Sequence, residues 1–217
     1  MREAFHGELA QLGTELGGMC ELAAEAMRQA TQALLDVDLQ LAEHVMSVDD
    51  RMGRARNVCD THALRLLALQ QPVATDLRTV LAAVYCAVKL ERMGVLAAHI
   101  ADTARRNHPR PVVPTGMERD FRTLGELDAS MAGHLANLII GSGHEGGFTE
   151  LDRTDDAVDA LHADLMAAVT NESWPHGIPT AINVALLARF YERFADQAVH
   201  VAQRHEFITT GTLPTHS

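Results

Sequence analysis

Four carboxylates in the C-terminal half of this 217-residue chain have the spacing to act together: Asp155 with Asp159, and Glu192 with Asp196. Residues four apart lie on one face of a helix, so each pair presents two acids one turn apart. Like charges at that spacing repel by a few tenths of a kcal/mol, and bringing the two pairs together adds to it. A bound hard cation is one remedy. All-oxygen ligands suit magnesium, manganese, calcium or iron. Asp156 and His200 are secondary candidates, and the His200 nitrogen, one turn beyond Asp196, would favour iron or zinc. The competing reading is an ordinary solvated acidic face neutralised by Arg153, Arg189 and Arg193. Leu187, Phe190, Phe194 and Val201 cluster on the opposite side of the same helical wheel, so these acids are expected to face away from the core and any site to lie at the surface.

The N-terminal half carries a weaker version of this pattern. Asp49, followed by Asp50, has Gly53 where its partner acid would stand, and Glu91 has Val95. An ion pair with an arginine is the expected role of Glu91, ahead of metal ligation. His99 and His200 occupy matching positions, and a repeated helical histidine is more often structural than a ligand. No glycine-rich phosphate loop, Ser/His/Asp arrangement or reactive-cysteine context is present, so the chain is read as a non-enzyme.

The elements that must position these acids are helices. Leu9, Leu12, Leu16, Met19, Ala23, Met27 and Leu34 recur at three- and four-residue steps and predict a helix over about 3–35. After the turn Asp36-Val37-Asp38, a second helix continues the period from Leu41 to Leu69. Pro72 suits the first turn of a third helix, to about Arg106. The segment Asn107 to Gly116 is proline-dense and ends the unit. Three further helices are expected at about 117–140, closed by Gly141 and the glycines to 147; 149–171, closed by Trp174 to Gly177; and 179–209, closed by Gly211. Residues 91–101 and 192–202 share Glu, Arg, Ala, His and Ala at the same places, and Val48–Gly53 aligns with Thr154–Asp159. Repetition of that kind implies duplicated architecture. The fold class is therefore all-α, two tandem three-helix bundles of long antiparallel helices: a first repeat at 1–108, a second at 115–212 and a short tail at 213–217.

Composition narrows the function classes. With 29 acids against 18 bases the formal charge is -11, which opposes binding to nucleic acid or anionic membrane surfaces. Cys20, Cys59 and Cys86 stand singly without metal-ligand spacing and are expected as reduced core thiols. The longest apolar run, Val80 to Val88, is too short to span a membrane, and the N-terminus lacks an apolar signal region. A cytoplasmic protein is expected.

Gln70-Gln71-Pro72-Val73-Ala74-Thr75-Asp76-Leu77-Arg78 and Leu90-Glu91-Arg92-Met93-Gly94 resemble the signature of the PhoU family. Glu192-Arg193-Phe194-Ala195-Asp196 and Gly211 extend the likeness over essentially the whole chain. Gln71, Pro72, Asp76, Arg78, Arg92 and Arg193 are the matching signature residues. The resemblance implies a two-repeat helical bundle that restrains the phosphate-starvation response, linking the phosphate ABC transporter ATPase to a membrane sensor histidine kinase. It acts on transcription only indirectly. It also implies a homodimer recruited to the inner face of the membrane through its partners. Family members carry Glu/Asp-x-x-x-Asp motifs that hold surface clusters of divalent or trivalent metal, and Asp155/Asp159 and Glu192/Asp196 match them, whereas Gly53 and Val95 break the first-repeat set of Asp49, Asp50, Glu91 and His99. His99 and His200 stand where asparagine is common in the family. Two alternatives compete: a ferritin-like di-iron oxidase, which needs two Glu-x-x-His pairs where this chain has only Glu3/His6, and a purely structural helical module.

Overall fold

The computed structural model describes residues 2–141 and 147–212, all helix and connecting turns. The expected glycines at 142–146 and the tail at 213–217 lie outside the described residues. Seven helical segments follow in order: α1 (Arg2–Asp36), α2 (Leu39–Met46), α3 (Val48–Gln70), α4 (Ala74–Asn107), α5 (Glu118–Ile140), α6 (Gly147–Val169) and α7 (Gly177–Thr210).

Helices α6 and α7 begin two residues earlier than expected, at Gly147 and Gly177, and two further boundaries differ in kind from the sequence reading. The second helix is broken into α2 and α3 at Ser47, whose hydroxyl donates to the His44 carbonyl at 2.7 Å and whose N–H reaches the same carbonyl at 3.1 Å. Serine competes with the backbone ladder through such local bonds. Asp38 caps α2, accepting from the Leu41 N–H at 2.9 Å, and α3 restarts with Asp49 and Asp50 in its first turn. Pro72 lies outside α4, which begins at Ala74; Gln71 and Ala74 take left-handed backbone angles, φ 47° and 51°, on either side of Pro72-Val73. The residue before a proline is disfavoured in the right-handed helical region, which ends α3 there.

Each repeat contributes two helices to a central layer. α1 packs against α5 and α4, and α4 against α7, so the pairings α1/α5 and α4/α7 join the two repeats. α2 and α3 cover this layer from α1 and α4, while α6 lies mainly on α7. Leu12, Met27, Leu90, Met93, Phe121, Tyr191 and Phe194 belong to one continuous buried core. The α1/α5 approach is close at Gly125: a Cβ there would sit 2.3 Å from Thr31 Oγ1. Cys20, Cys59 and Cys86 are buried free thiols, as expected, and burial pushes the Cys59 and Cys86 thiols up to about 12.

Candidate functional site

Three helices of the second repeat converge on a group of acids. α5 brings Asp128, α6 brings Asp155, and α7 brings Glu192 and Asp196. The sequence reading missed Asp128. It falls on the core-facing stripe Phe121, Leu124, Asp128, Met131, Leu135, all buried, so an acid interrupts an apolar series at three- and four-residue steps. That interruption is the signal that would have found it.

Asp128 is 0% exposed, and neither of its carboxylate oxygens has a hydrogen-bond partner. Burial first, then the nearby charges of Asp155 and Glu192, hold its carboxyl well above the usual range. Glu192 is also raised, by burial, by Asp196 and by Asp159, while Arg189 and Arg193 oppose the shift. Asp155 and Glu192 thus lie close enough to Asp128 to act on it, and Asp196 and, more weakly, Asp159 act on Glu192 from the rim. The expected surface placement is corrected: Asp155 is buried, Asp196 is half-buried, and the Glu192 side chain is only 12% exposed. The helical wheel of α7 located one apolar side, but α7 is covered on a second side too, where Tyr191, Ala195, Ala198 and Val199 are fully buried.

The remaining candidates lie at or beyond the rim of this group. Asp156 and Asp159 are exposed, and His200 is half-buried one turn beyond Asp196. Arg189 pairs with one oxygen of Glu192; the other, Oε2, is buried without a hydrogen-bond partner. Among the described residues, no three His, Cys, Asp or Glu side chains already stand in ligand geometry. The converging groups are all carboxylates, and both Asp128 oxygens and Glu192 Oε2 are buried without hydrogen-bond partners, but the residues are not brought into a ligand set.

The first repeat is arranged differently. Glu91 accepts from Arg56 Nη1 at 2.7 Å, the arginine partnership expected for it, and Arg56 Nε also lies 3.3 Å from Asp60. Asp49 and Asp50 are exposed in the first turn of α3, where acids favour the positive end of the helix dipole. His99 is exposed and packs edge-on against Phe190 of α7, ring centroids 5.2 Å apart. The counterpart polar cluster here is one that sequence spacing did not indicate. Nearly buried His62 of α3 has Nδ1 3.1 Å from Glu15 and Nε2 2.9 Å from Glu8, both on α1, and Arg65 also bonds Glu8.

Two signature positions have structural roles. Arg78 Nε donates to the Ile208 carbonyl at 3.3 Å, so the start of α4 caps the C-terminal end of α7. Gln71 forms the left-handed end of α3. Asp76 sits in the first turn of α4, and Arg92 and Arg193 are exposed at matching places on α4 and α7. Glu3 and His6 are exposed near the start of α1, away from any bundle interior.

Comparison with known proteins places the whole arrangement. A family model described as the PhoU domain matches residues 16–104 and again 122–205. The Phosphate-specific transport system accessory protein PhoU homolog 1 of Mycobacterium leprae is 41% identical over 214 residues, covering 99% of this chain and 96% of the relative. PhoU homolog 2 of Mycobacterium tuberculosis is also 41% identical, over 99% of this chain and 100% of the relative. The crystal structure of the phosphate transport system regulatory protein PhoU from Streptococcus pneumoniae superposes with a TM-score of 0.87 at 24% identity, covering 97% of this chain and 99% of that one. PhoU from Pseudomonas aeruginosa gives 0.82 at 24% identity, over 96% and 100%. With a family domain matched in each repeat and relatives aligned end to end, this chain belongs to the PhoU family.

Proposed function

We propose that this protein is an accessory regulator of phosphate-specific transport, a non-enzymatic helical adaptor that binds the transporter's ATPase and a sensor histidine kinase and represses the starvation response when phosphate is plentiful. The observation that carries this reading is the pair of PhoU domain matches together with relatives named as accessory proteins of that transport system. Among the described residues no helix is long and apolar enough to cross a membrane; recruitment from the cytoplasm to the inner face of the membrane through these partners is part of the same reading.

Exposed apolar residues support a docking role. Ile178, Ile182 and Leu186 repeat every four residues along one face of α7, and Leu81 and Val88 stand out on α4. A partner helix laid along such a face would bury them. The family's metal motifs map onto Asp155, Asp159, Glu192 and Asp196, which would hold a hard cation that neutralises the clustered charge between α6 and α7. Homodimer formation is part of the same reading.

Co-purification tests it. Tagged protein from phosphate-replete cells is expected to recover the transporter ATPase and a sensor kinase, and Ile182→Glu/Leu186→Glu to lose at least one of them. Recovery of neither by the unaltered protein would contradict the adaptor role.

A further inference from the structure

The chain has a formal charge of -11, yet one of its surfaces is basic. We propose that the solvent-facing side of the α4/α7 pair is the docking groove for an acidic amphipathic helix of a partner protein. The proposal rests on the adaptor reading above and names the chemistry of what one face of the adaptor binds.

Two contacts fix where that face lies. The Arg204 guanidinium of α7 stands 4.2 Å over the Tyr85 ring of α4, and His99 of α4 meets Phe190 of α7 at 5.2 Å between ring centroids. The two helices are therefore antiparallel, and the stretch between these contacts is about 21 Å, roughly four turns of a helix. At about 100° per residue, Leu81, Val88, Lys89 and Arg92 fall within about 60° of Tyr85 around α4. Leu81 and Val88 are 53% and 41% exposed, and Arg92 is exposed beside them. Lys89, the only lysine of the chain, lies 5.3 Å from the centre of the same Tyr85 ring, so two cations share one aromatic.

The acids of these helices point elsewhere. Between Leu77 and Ile100 the only carboxylate is Glu91, which is paired with Arg56 of α3. Between Pro179 and His205 the carboxylates are Glu192 and Asp196, which belong to the acid group on the side of α5 and α6. Among the described residues no carboxylate forms an ion pair with Lys89, Arg92 or Arg204. Apolar side chains at helical spacing, flanked by cations without internal partners, are complementary to a helix that carries an apolar stripe beside carboxylates. A second copy is the wrong occupant, because a two-fold contact sets the same patch against itself, cation against cation. A broad anionic membrane would meet the surrounding acids of this molecule as well as the groove, whereas a single helix meets the groove alone.

The test uses the full chain and two purified probes, the phosphate transporter's ATPase and the detergent-solubilised sensor kinase, with affinity read at low and high salt. One of the two is expected to bind more weakly as salt rises, and Lys89→Glu/Arg204→Glu to lose about tenfold or more in affinity for it. Lys89→Arg/Arg204→Lys should keep the binding. Arg92→Glu, at an exposed side chain, serves as the second variant if the double reversal misfolds. Hydrogen exchange on the complex should protect a helix of that partner bearing Asp or Glu, and changing those acids to Lys should restore affinity for the charge-reversed protein. Unchanged affinity of the folded charge-reversed variants for both probes, or a protected partner segment without acids, would overturn this face and leave the adaptor reading standing. Failure of the unaltered protein to bind either probe would overturn both. Binding to vesicles of equal parts phosphatidylglycerol and phosphatidylcholine that these variants lose, while their partner binding holds, would assign the face to a membrane and overturn the proposal.

Discussion

At the scale of single residues, the acids divide according to whether a partner meets them. Asp128 has no hydrogen-bond partner for either oxygen, so it should destabilise the fold. Asp128→Leu, close in size and apolar, is expected to raise stability by about 1–3 kcal/mol in urea denaturation, the usual penalty for an unsatisfied buried polar group. Glu8 is the opposite case: hydrogen bonds from His62 and then Arg65 hold its carboxyl below its ordinary value of 4.5. The native state then binds fewer protons than the unfolded chain in acid. Its stabilisation is present above 4.5 and is lost as pH falls through the lowered native value. Glu8→Gln should accordingly flatten the acid limb of a stability-against-pH curve, measured as urea midpoints from pH 7 down to the acid transition. Sequence spacing revealed Asp155, Asp159, Glu192 and Asp196 because each pair is visible within one helix. Asp128 has no partner on its own helix, and its neighbours arrive only when α6 and α7 pack beside α5. For the same reason the depth of Asp155 and Glu192 was not legible, since one helical wheel shows one covered side and α7 has two.

Helices were the most legible level, because amphipathic periods of this length tolerate few alternatives. The breaks were less so. Ser47 divides a period that continues in phase across it, and the left-handed residues Gln71 and Ala74 carry no glycine to announce them. Contacts between elements have direct consequences for stability. The α1/α5 crossing leaves no space at Gly125, so Gly125→Ala should destabilise the protein by roughly 1–3 kcal/mol, the range for overpacking, with a lower urea midpoint. Arg78 places a cation at the negative end of the α7 dipole and satisfies one of its last carbonyls. Arg78→Ala is expected to weaken stability by about 1 kcal/mol and to speed amide hydrogen exchange in the last turns of α7 far more than elsewhere in the chain.

For the molecule as a whole, the duplication was readable from matching residues in the two halves, and the family model matches each half in turn. The joining of the repeats was not readable. The pairings α1/α5 and α4/α7 make one core from two copies, which periodicity cannot specify because it says which face is apolar and not which helix covers it. The chemistry of the copies is unequal: Glu91 is neutralised by Arg56, whereas the second repeat gathers acids around an unpartnered Asp128. The most direct measurement is the output of a phosphate-starvation reporter in phosphate-rich medium, in cells lacking this protein and in the same cells with it restored. The reporter should be active without the protein and silent once it returns; a reporter that stays silent in its absence would contradict the proposed role.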